Sequence, residues 1–436
     1  MNASLLNKYK SLQERISQLH QQGLNGLKFA IVSSTFQLGR SYQENLWAES
    51  LAEFGASVTV YVPVDSRGPI STAPYVSDTP AKAEFYIQEI PSTLLPRNQT
   101  LTSKLGEYLA DDLPDLIIWF GGIMFFGRDI YLKDNLEHIP LVTIYSLSRR
   151  GRHSFNWSSA QQTLKSRLQS LAFQIIRAPI LTQTLKRAQL TVANTPECTD
   201  IIRQYLWGDE RIEWSRKHEE IPLGFCPHTF SYRAHLRHEA RAALPINDTD
   251  TVLLHSSRFE ANKWPALQAI FTQIEEFFDK LQHSQLQRIE QYHMLWIGAG
   301  NNEISHQFRE LINQSPYRAQ HHLISFQTRQ RLSTFYHAAD IALFAQPSIS
   351  CQEAIGTGLS LLCPPDPSLT HLSNYSSRLH FAQLSTWANE LLRITQYLNH
   401  KPDETQHREK ASQLAQKLSY HSLVDQTLQA LAQRLI

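Results

Sequence analysis

Two basic side chains, Arg258 and Lys263, lie five residues apart in a loop that directly follows the apolar run Thr251 to His255. A pair of cations at the carboxyl end of a strand suits a diphosphate, because the cations neutralise the negative charge that develops on a departing group. A basic pair by itself is more often ordinary surface. Gly298-Ala299-Gly300 and Ser348-Ile349-Ser350 follow two further predicted strands, however, and would point into the same crevice. The sequence therefore predicts an anion site built from these loops.

The segment around Ser350 and Glu353 has two interpretations. Its S-x-x-E spacing is that of a capping box, in which both side chains bond to backbone N–H groups at a helix start, and helix stability alone would then account for the two residues. In the functional interpretation, Glu353 lies about one turn into a helix that follows the predicted strand 338–345, so its carboxylate faces the loop. The two are compatible, since a well-capped helix would hold Glu353 at the crevice.

Gly39 and a basic loop at 149–153 are the candidates in the first half of the chain. Gly39 lies between the predicted strand 28–33 and a predicted helix, where the missing side chain would let a ligand approach the backbone. A single glycine is more often only a turn. The basic loop is dense in charge for a nearly neutral protein, and solvated surface is its default interpretation. The alternative is that Arg152 and His153 help to clamp an anionic acceptor or a phosphate.

Strands and helices alternate in both halves of the chain. The predicted strands are the apolar runs at 28–33, 58–62, 114–120, 141–145 and 190–194, and then at 251–255, 294–298, 323–326, 338–345 and 359–363. Such alternation is typical of parallel sheets with helices on both faces. We therefore predict an α/β protein with two doubly wound, Rossmann-like domains that face each other across a cleft. The predicted domains are 1–225 and 226–405, followed by a final helix, 406–436, that could lie across either domain.

Composition argues against several classes of protein. The 41 basic and 40 acidic side chains of the 436-residue chain leave a net charge of +1, so no nucleic-acid partner is expected. The four cysteines show no C-x-x-C spacing, which argues against a structural zinc site and for a reducing compartment. The pattern at Gly298 and Gly300 is too short for a dinucleotide fingerprint, so an NAD cofactor is not expected.

The sequence has no apolar run of about 18 residues, so no transmembrane span is predicted. The leading segment 5–19 has helical spacing with basic residues on one side. Contact with a membrane surface is one interpretation of this segment, and packing on its own domain is the favoured one.

Six short motifs occur in order between about residues 28 and 365. They are Tyr42-Gln43-Glu44-Asn45; Thr195-Pro196-Glu197-Cys198; Pro222-Leu223-Gly224 with Phe230; Arg258 with Lys263; Tyr336-His337-Ala338-Ala339-Asp340; and Ser348-Ile349-Ser350 with Glu353, Ala354 and Gly358. Each motif is weak alone. In this order they resemble the retaining glycosyltransferases of the GT-B fold, family 4, and particularly the branch that builds bacterial cell-surface polysaccharides.

The resemblance implies a metal-independent enzyme of hexosyltransferase type. It would move a sugar, with retention, from a nucleotide diphosphate sugar to a hydroxyl of a cell-surface polysaccharide or lipid-linked acceptor, in the cytoplasm or at the inner face of the membrane. Arg258 and Lys263 would hold the diphosphate, and Glu353 would bind the nucleotide ribose. The Ser348–Ser350 loop would present N–H groups to the sugar or phosphate. Gly39 would approach the reacting centre from the N-terminal, acceptor-side domain.

Three positions depart from the family pattern. Ala345 stands where the E-x7-E motif has its first glutamate, and Cys226 replaces an aspartate. The strand that ends at Tyr145 is commonly followed by a histidine and an aspartate in this family, whereas here Ser146-Leu147-Ser148 follows it and His153 lies several residues further along. These departures keep a second function open, that of a GT-B-like protein that binds a partner or polysaccharide without catalysis. A third is a sugar-nucleotide epimerase of the same fold.

Overall fold

The chain divides into two compact units. The computed structural model describes residues 3–34, 36, 38, 42–64, 75–76, 82–95, 99–122, 125–147, 179–244, 246–284, 288–399 and 404–435. Unit 1 comprises Met1–Leu223 and Tyr420–Ile436, and unit 2 comprises Gly224–Ser419. The sequence placed these divisions at 225/226 and 405/406. The second boundary lies after Ser419 rather than at 405/406, because the helix Glu404–Ala415 belongs to unit 2. Its Arg408 donates to the Ala339 carbonyl at 2.7 Å.

Unit 1 is built on an eight-stranded sheet. The strands of this unit are β1 Lys28–Val32, β2 Ser57–Pro63, β3 Tyr75–Val76, β4 Glu84–Ile90, β5 Thr93–Leu95, β6 Gln99–Leu101, β7 Leu116–Phe120, β8 Leu141–Tyr145, β9 Leu190–Ala193 and β10 His218–Glu220. The order is β10-β9-β8-β7-β1-β2-β4-β3, and each described pair in this sheet is parallel except β3–β4. β5 and β6 form a separate antiparallel pair. β7 and β8 are buried at every position, as expected of parallel strands covered on both faces.

The last helix of the chain packs in unit 1. The helices of this unit are α1 Ala3–Ser17, α2 Leu19–Gln22, α3 Gln43–Glu53, α4 Leu105–Asp112, α5 Asp129–Leu132, α6 (residues 179–187), α7 Pro196–Arg203, α8 Gly208–Arg216 and α17 Tyr420–Ala432. Gln13 in α1 donates to the Ala432 carbonyl at 2.9 Å, and Gln429 donates to the Ile16 carbonyl at 3.1 Å. Ile16 is fully buried. The apolar face of α1 is therefore covered by its own unit, as the favoured interpretation of this segment requires.

Unit 2 is built on a six-stranded parallel sheet in the order β13-β12-β11-β14-β15-β16. Its strands are β11 Thr251–Ser256, β12 Tyr292–Ala299, β13 His321–Ser325, β14 Ile341–Leu343, β15 Ser360–Cys363 and β16 Leu379–Phe381. Its helices are α9 Pro227–Phe230, α10 Ala234–Ala243, α11 Trp264–Ser284, α12 Glu303–Gln314, α13 Arg329–Ala338, α14 Ile349–Gly356, α15 Trp387–Asn399 and α16 Glu404–Ala415. The sequence prediction of parallel α/β sheets in both halves is confirmed.

Helix α11 shows how the sequence anchors the region that follows β11. Leu267, Ile270, Ile274 and Phe278 recur at intervals of three and four residues, and all four are buried in the unit 2 core. The helix starts directly after Lys263, whose carbonyl accepts from Leu267 N–H at 3.0 Å. The loop between β11 and α11 therefore has both ends fixed by buried elements.

None of the described helices combines the length and the apolar composition that crossing a bilayer requires.

Candidate active site

The carboxyl ends of β11 and β14 lie side by side at the switch point of the unit 2 sheet. The strands pair through Leu254 and Ala342, and the chain moves from β11 toward β13 but from β14 toward β16. Right-handed crossovers therefore put α11 and α14 on opposite faces and leave a crevice between the two preceding loops. We refer to residues 257–263 as the β11 loop and to residues 344–348 as the β14 loop.

Arg258 and Lys263 bring two positive charges to the β11 loop. The Arg258 side chain is 60% exposed, and its Nη1 lies 3.2 Å from Glu260 Oε1. Lys263 Nζ donates to the amide oxygen of Gln346 at 2.7 Å, and this bond joins the two loops. Exposed ion pairs contribute only about 0–1 kcal/mol, so an incoming anion can readily replace Glu260 beside Arg258.

The two glycines predicted to contact a donor have different surroundings. Gly298 in β12 has a φ of +118°, and a Cβ atom on it would lie 1.9 Å from the Ser257 carbonyl oxygen. No side chain fits there, so Gly298 lets β12 pack directly against the start of the β11 loop. A Cβ atom on Gly300 would lie 3.9 Å from Asn302 Nδ2, an ordinary contact, and the Gly300 N–H donates to Ser305 Oγ at 2.8 Å. Gly298 therefore positions the loop that carries Arg258.

Helix α14 starts after Ser348, its N-cap residue, which has an extended backbone. The Ser348 side chain makes no capping hydrogen bond to a described N–H group. Ser350 and Glu353 are the second and fifth residues of the helix, so the predicted capping box is wrong: Ser350 has already entered the helix and cannot cap it. In a helix, the first N–H groups, here including those of Ile349 and Ser350, point back toward the preceding loop and attract anions.

Glu353 is the one buried residue among the predicted site residues that the structure describes, with 1% exposure. Burial first, and then the charge of the Glu353 carboxylate, raise the pKa of the Tyr336 phenol. The carboxylate therefore lies near that phenol. Because this carboxylate is buried, a ligand hydroxyl would have to enter the protein beside the start of α14 to contact it.

Two further buried side chains link the strand ends, and the sequence did not assign chemistry to either. His255 Nδ1 lies 2.6 Å from the Leu343 carbonyl oxygen, and Tyr336 Oη lies 2.6 Å from Ser256 Oγ. Burial lowers the pKa of His255 to about 4. One signal was available for His255: a titratable residue near the carboxyl end of an otherwise apolar strand.

A cavity of about 490 Å³ opens beside Gly300, in the range of about 300–1,000 Å³ that is usual for small-molecule sites. Its walls are Ala299, Gly300, Asn301, Arg309, Ile312, Asn313, Arg318, His321, Leu323 and Ser325. The neighbouring Asn302 donates from Nδ2 to the Phe259 carbonyl at 2.7 Å, which ties this wall to the β11 loop. The two arginines give the cavity donors for a ligand that is rich in hydrogen-bond acceptors.

In unit 1, three polar side chains meet beside the ends of β8 and β9. Asn194 Nδ2 donates to Gln43 Oε1 at 2.8 Å and to Ser146 Oγ at 2.5 Å, and Gln43 Nε2 donates to Ser146 Oγ at 3.2 Å. Glu44 follows in α3, and burial raises its pKa to about 7 although a hydrogen bond from Ser33 opposes the shift. Ser146, the first residue after β8, is thus held by hydrogen bonds from two side chains.

The structure places Arg258 and Lys263 in the β11 loop, and the bond from Lys263 to Gln346 joins this loop to the β14 loop that precedes α14. The predicted acceptor-side residues Gly39, Arg152 and His153 lie outside the described residues. Their roles stay predictions.

No protein-family model matches the sequence, and a search of curated proteins finds no match. Solved structures do match over nearly the whole chain. Sucrose-phosphate synthase from Thermosynechococcus elongatus has a TM-score of 0.61 at 15% identity, covering 92% of this chain and 97% of that one. WaaG, a glycosyltransferase involved in lipopolysaccharide biosynthesis, has a TM-score of 0.57 at 15% identity, covering 92% and 98%.

A third match is HepE from Anabaena in complex with UDP-glucose, with a TM-score of 0.56 at 13% identity, covering 92% of this chain and 98% of that one. At such identities a likeness establishes the fold. The chain is an α/β protein whose two Rossmann-like domains have the GT-B fold.

Proposed function

We propose that the protein is a glycosyltransferase that binds a nucleotide diphosphate sugar in unit 2 and transfers the sugar to a hydroxyl. One observation carries the proposal: the β11 loop, which holds Arg258 and Lys263, and the β14 loop, which leads into α14, follow adjacent strand ends and are joined by the bond from Lys263 to Gln346. Together they offer positive charge and N–H donors to a diphosphate. The likeness to a structure that was solved with UDP-glucose supports this class of ligand.

Catalysis in this proposal is electrostatic. When the bond between the anomeric carbon and the diphosphate breaks, its electron pair stays with the leaving oxygen, so negative charge grows on the diphosphate. Arg258 and Lys263 stabilise that charge, and removing one such stabiliser typically slows an enzyme by about 10²–10³. The new C–O bond forms on the face that the diphosphate leaves, and the acceptor hydroxyl passes its proton to the departing diphosphate oxygen. The protein supplies charge and orientation, and the proposal needs no enzymic nucleophile.

The rest of the nucleotide would occupy the neighbouring features of unit 2. The nucleobase would enter the cavity beside Gly300, where Arg309 and Arg318 suit the carbonyl acceptors of a base such as uracil. The Glu353 carboxylate would accept hydrogen bonds from the ribose at the start of α14. The N–H groups of the Ser348–Ser350 segment would face the sugar or the phosphates.

The acceptor side of the proposal follows the family resemblance. We assign the protein to the retaining, metal-independent hexosyltransferases of family 4 that act on a cell-surface polysaccharide or lipid-linked acceptor at the cytoplasmic face of the membrane. The shared fold with WaaG, a glycosyltransferase involved in lipopolysaccharide biosynthesis, supports this class of acceptor. Gly39, Arg152 and His153 are the proposed acceptor contacts.

Charge removal at the β11 loop tests the proposal. Arg258→Ala and Lys263→Ala should each lower donor turnover, measured as release of UDP or GDP from the donor sugar, by about 10² or more. Arg393→Ala is the matched control for Arg258, because Arg393 is an exposed arginine that also pairs with a glutamate, Glu390. Lys280→Ala is the matched control for Lys263, because it removes an ion pair on the surface of α11. Turnover within twofold of wild type in both site variants would refute the assignment.

The alternative function is nucleotide-independent binding by a GT-B-like protein. Ala345 favours it, because the half-buried Ala345 side chain packs on the unit 2 core where the resembling enzymes place a carboxylate. Calorimetry with UDP and GDP separates the two functions, and absence of binding at millimolar nucleotide would favour the non-enzyme. Product analysis with donor alone would reveal an epimerase.

A further inference from the structure

His255, next to last in β11, is engaged through both ring nitrogens. Nδ1 lies 2.6 Å from the carbonyl oxygen of Leu343 at the end of β14, and Nε2 lies 2.9 Å from Ser257 Oγ in the β11 loop. We infer that His255 is a positioning residue that fixes the β11 loop, and through it Arg258, against the end of β14. The inference rests on the proposed function, which assigns Arg258 to the diphosphate.

One arrangement of protons satisfies both contacts of the neutral ring. A carbonyl oxygen can only accept, so Nδ1 carries the proton and Nε2 accepts from the Ser257 hydroxyl. Burial lowers the pKa of His255 to about 4; the Leu343 carbonyl opposes this shift and the charge of Lys263 reinforces it. The ring therefore stays neutral near pH 7, and the Ser257 hydroxyl has one orientation.

Ser257 is held at three points, and it is the residue that precedes Arg258. Its N–H donates to the Ile297 carbonyl at 3.0 Å, its hydroxyl bonds to His255, and its carbonyl packs against Gly298. The Arg258 side chain itself is 60% exposed, so the loop backbone sets the position of the Cα atom from which the guanidinium extends. A cation that is already in place when its ligand arrives binds with less loss of conformational entropy.

A second connection lies on the opposite face of β11, because successive strand residues point to opposite faces. Ser256 Oγ lies 2.6 Å from Tyr336 Oη, which lies 3.5 Å from the Ser350 carbonyl oxygen. This connection is independent of His255. Loss of the imidazole should therefore loosen the β11 loop while the strand ends stay joined.

The test combines nucleotide binding with hydrogen exchange in the full chain. His255→Asn keeps an N–H near the Nδ1 position and removes the acceptor for Ser257, while Ser257→Ala removes the donor and leaves the ring. We expect each variant to weaken UDP binding about tenfold in calorimetry. Exchange of the backbone N–H groups of residues 257–263 should become about tenfold faster. If the histidine variant does not fold, UDP binding and hydrogen exchange of Ser257→Ala alone test the inference.

A double-mutant cycle identifies the route of the effect. If His255 acts through Arg258, adding His255→Asn to Arg258→Ala should weaken UDP binding no further; additive effects would overturn the inference. His337→Asn is the matched control, because His337 is a buried imidazole in α13 bonded to the Ser333 and Ser231 carbonyls. This control should change neither UDP binding nor exchange of the β11 loop.

Three outcomes decide between the inference and the function on which it rests. Unchanged exchange of residues 257–263 in both His255→Asn and Ser257→Ala overturns the inference, whatever the nucleotide result. Normal UDP binding by both variants, with a wild type that binds UDP, overturns the inference alone. A wild type that binds neither UDP nor GDP overturns the role in donor binding together with the proposed function.

Discussion

The two ends of β14 carry cationic side chains in opposite surroundings. At the amino end, Asp340 accepts from Arg237 at 2.6 Å and from Arg241 at 2.7 Å. Burial raises the pKa of Asp340, but the charges of these arginines and of Arg408 outweigh it and lower the pKa to about 2. Arg241 also donates to four backbone carbonyls, those of Ala338, Asn247, Asp248 and Asp250. Its guanidinium is fully engaged within the protein.

At the carboxyl end, the cations have partners that a ligand can replace. Lys263 meets the neutral amide of Gln346, and the exposed Arg258 meets the partly exposed Glu260. The comparison teaches that burial and partner, rather than residue type, separate a structural cation from a binding one. It also predicts that substitution of the cations or their carboxylate partners changes stability at the amino end and ligand binding at the carboxyl end.

The largest expected effect is at the amino end. Asp340→Ala would leave Arg237 and Arg241 without their carboxylate in a buried site, and breaking such a pair costs about 3–5 kcal/mol. Exchange of the most protected β11 and β14 amides measures the free energy of unfolding of unit 2. Asp248→Ala is the control, since that carboxylate is exposed and should change stability by less than about 0.5 kcal/mol. A loss below about 1 kcal/mol for Asp340→Ala would remove the contrast between the two ends.

The next effect concerns the glycines beside the β11 loop. Gly298→Ala adds a Cβ atom against the Ser257 carbonyl at a positive φ, and such backbone strain costs about 1–3 kcal/mol. Since the strain falls on the loop that carries Arg258, UDP binding should weaken as well. Gly300→Ala is the control for stability, because its Cβ atom would have only Asn302 Nδ2, at 3.9 Å, in van der Waals contact. Equal losses of stability in the two variants, measured by hydrogen exchange, would contradict the positioning role of Gly298.

Acid should remove the contribution of His255 to stability before that of Asp340. The folded pKa of His255 is about 4, below the value of about 6.5 in an unfolded chain, so the unfolded state binds the proton first. Stability is therefore lost as the pH falls below 6.5, by about 2 kcal/mol for this residue between pH 7 and pH 5. Asp340, with its folded pKa of about 2, loses its contribution only below about pH 4. His255→Asn should make the pH dependence of unit 2 stability shallower, and an unchanged slope between pH 7 and 5 would contradict the assignment.

The sequence predicted the strands that are continuous runs of apolar residues. It missed a strand that forms only by pairing with its neighbour. β8 was predicted with its observed bounds, and β11 within one residue. β10, with the sequence His218–Glu220, has no apolar pattern and forms by pairing with β9. The predicted strand 338–345 is longer than β14, because its first alanine ends α13 and Asp340 belongs to the arginine network. An apolar run alone does not show where a helix stops and a strand starts.

The candidate site was predictable as a set of loops but not as a set of contacts. Arg258 and Lys263 could be placed because parallel strands end at one edge of a sheet. The bond from His255 to Leu343 joins residues 88 positions apart. It depends on the register of β11 against β14, which the sequence of neither strand predicts. The capping box failed for a related reason, since the backbone conformation of Ser348 determines which serine is the cap.

The smallest effect tests the comparison most directly. Glu260→Ala removes the carboxylate beside Arg258 and should change unfolding by less than about 0.5 kcal/mol, because the pair is exposed. If Arg258 is a binding cation, loss of this competitor should strengthen UDP binding about twofold at low salt, measured by calorimetry. Glu390→Ala removes the partner of the exposed Arg393 and should leave UDP binding unchanged. Weaker binding in Glu260→Ala would mean that Glu260 orients Arg258 as Asp340 orients Arg241, and the two ends of β14 would then use their cations in the same way.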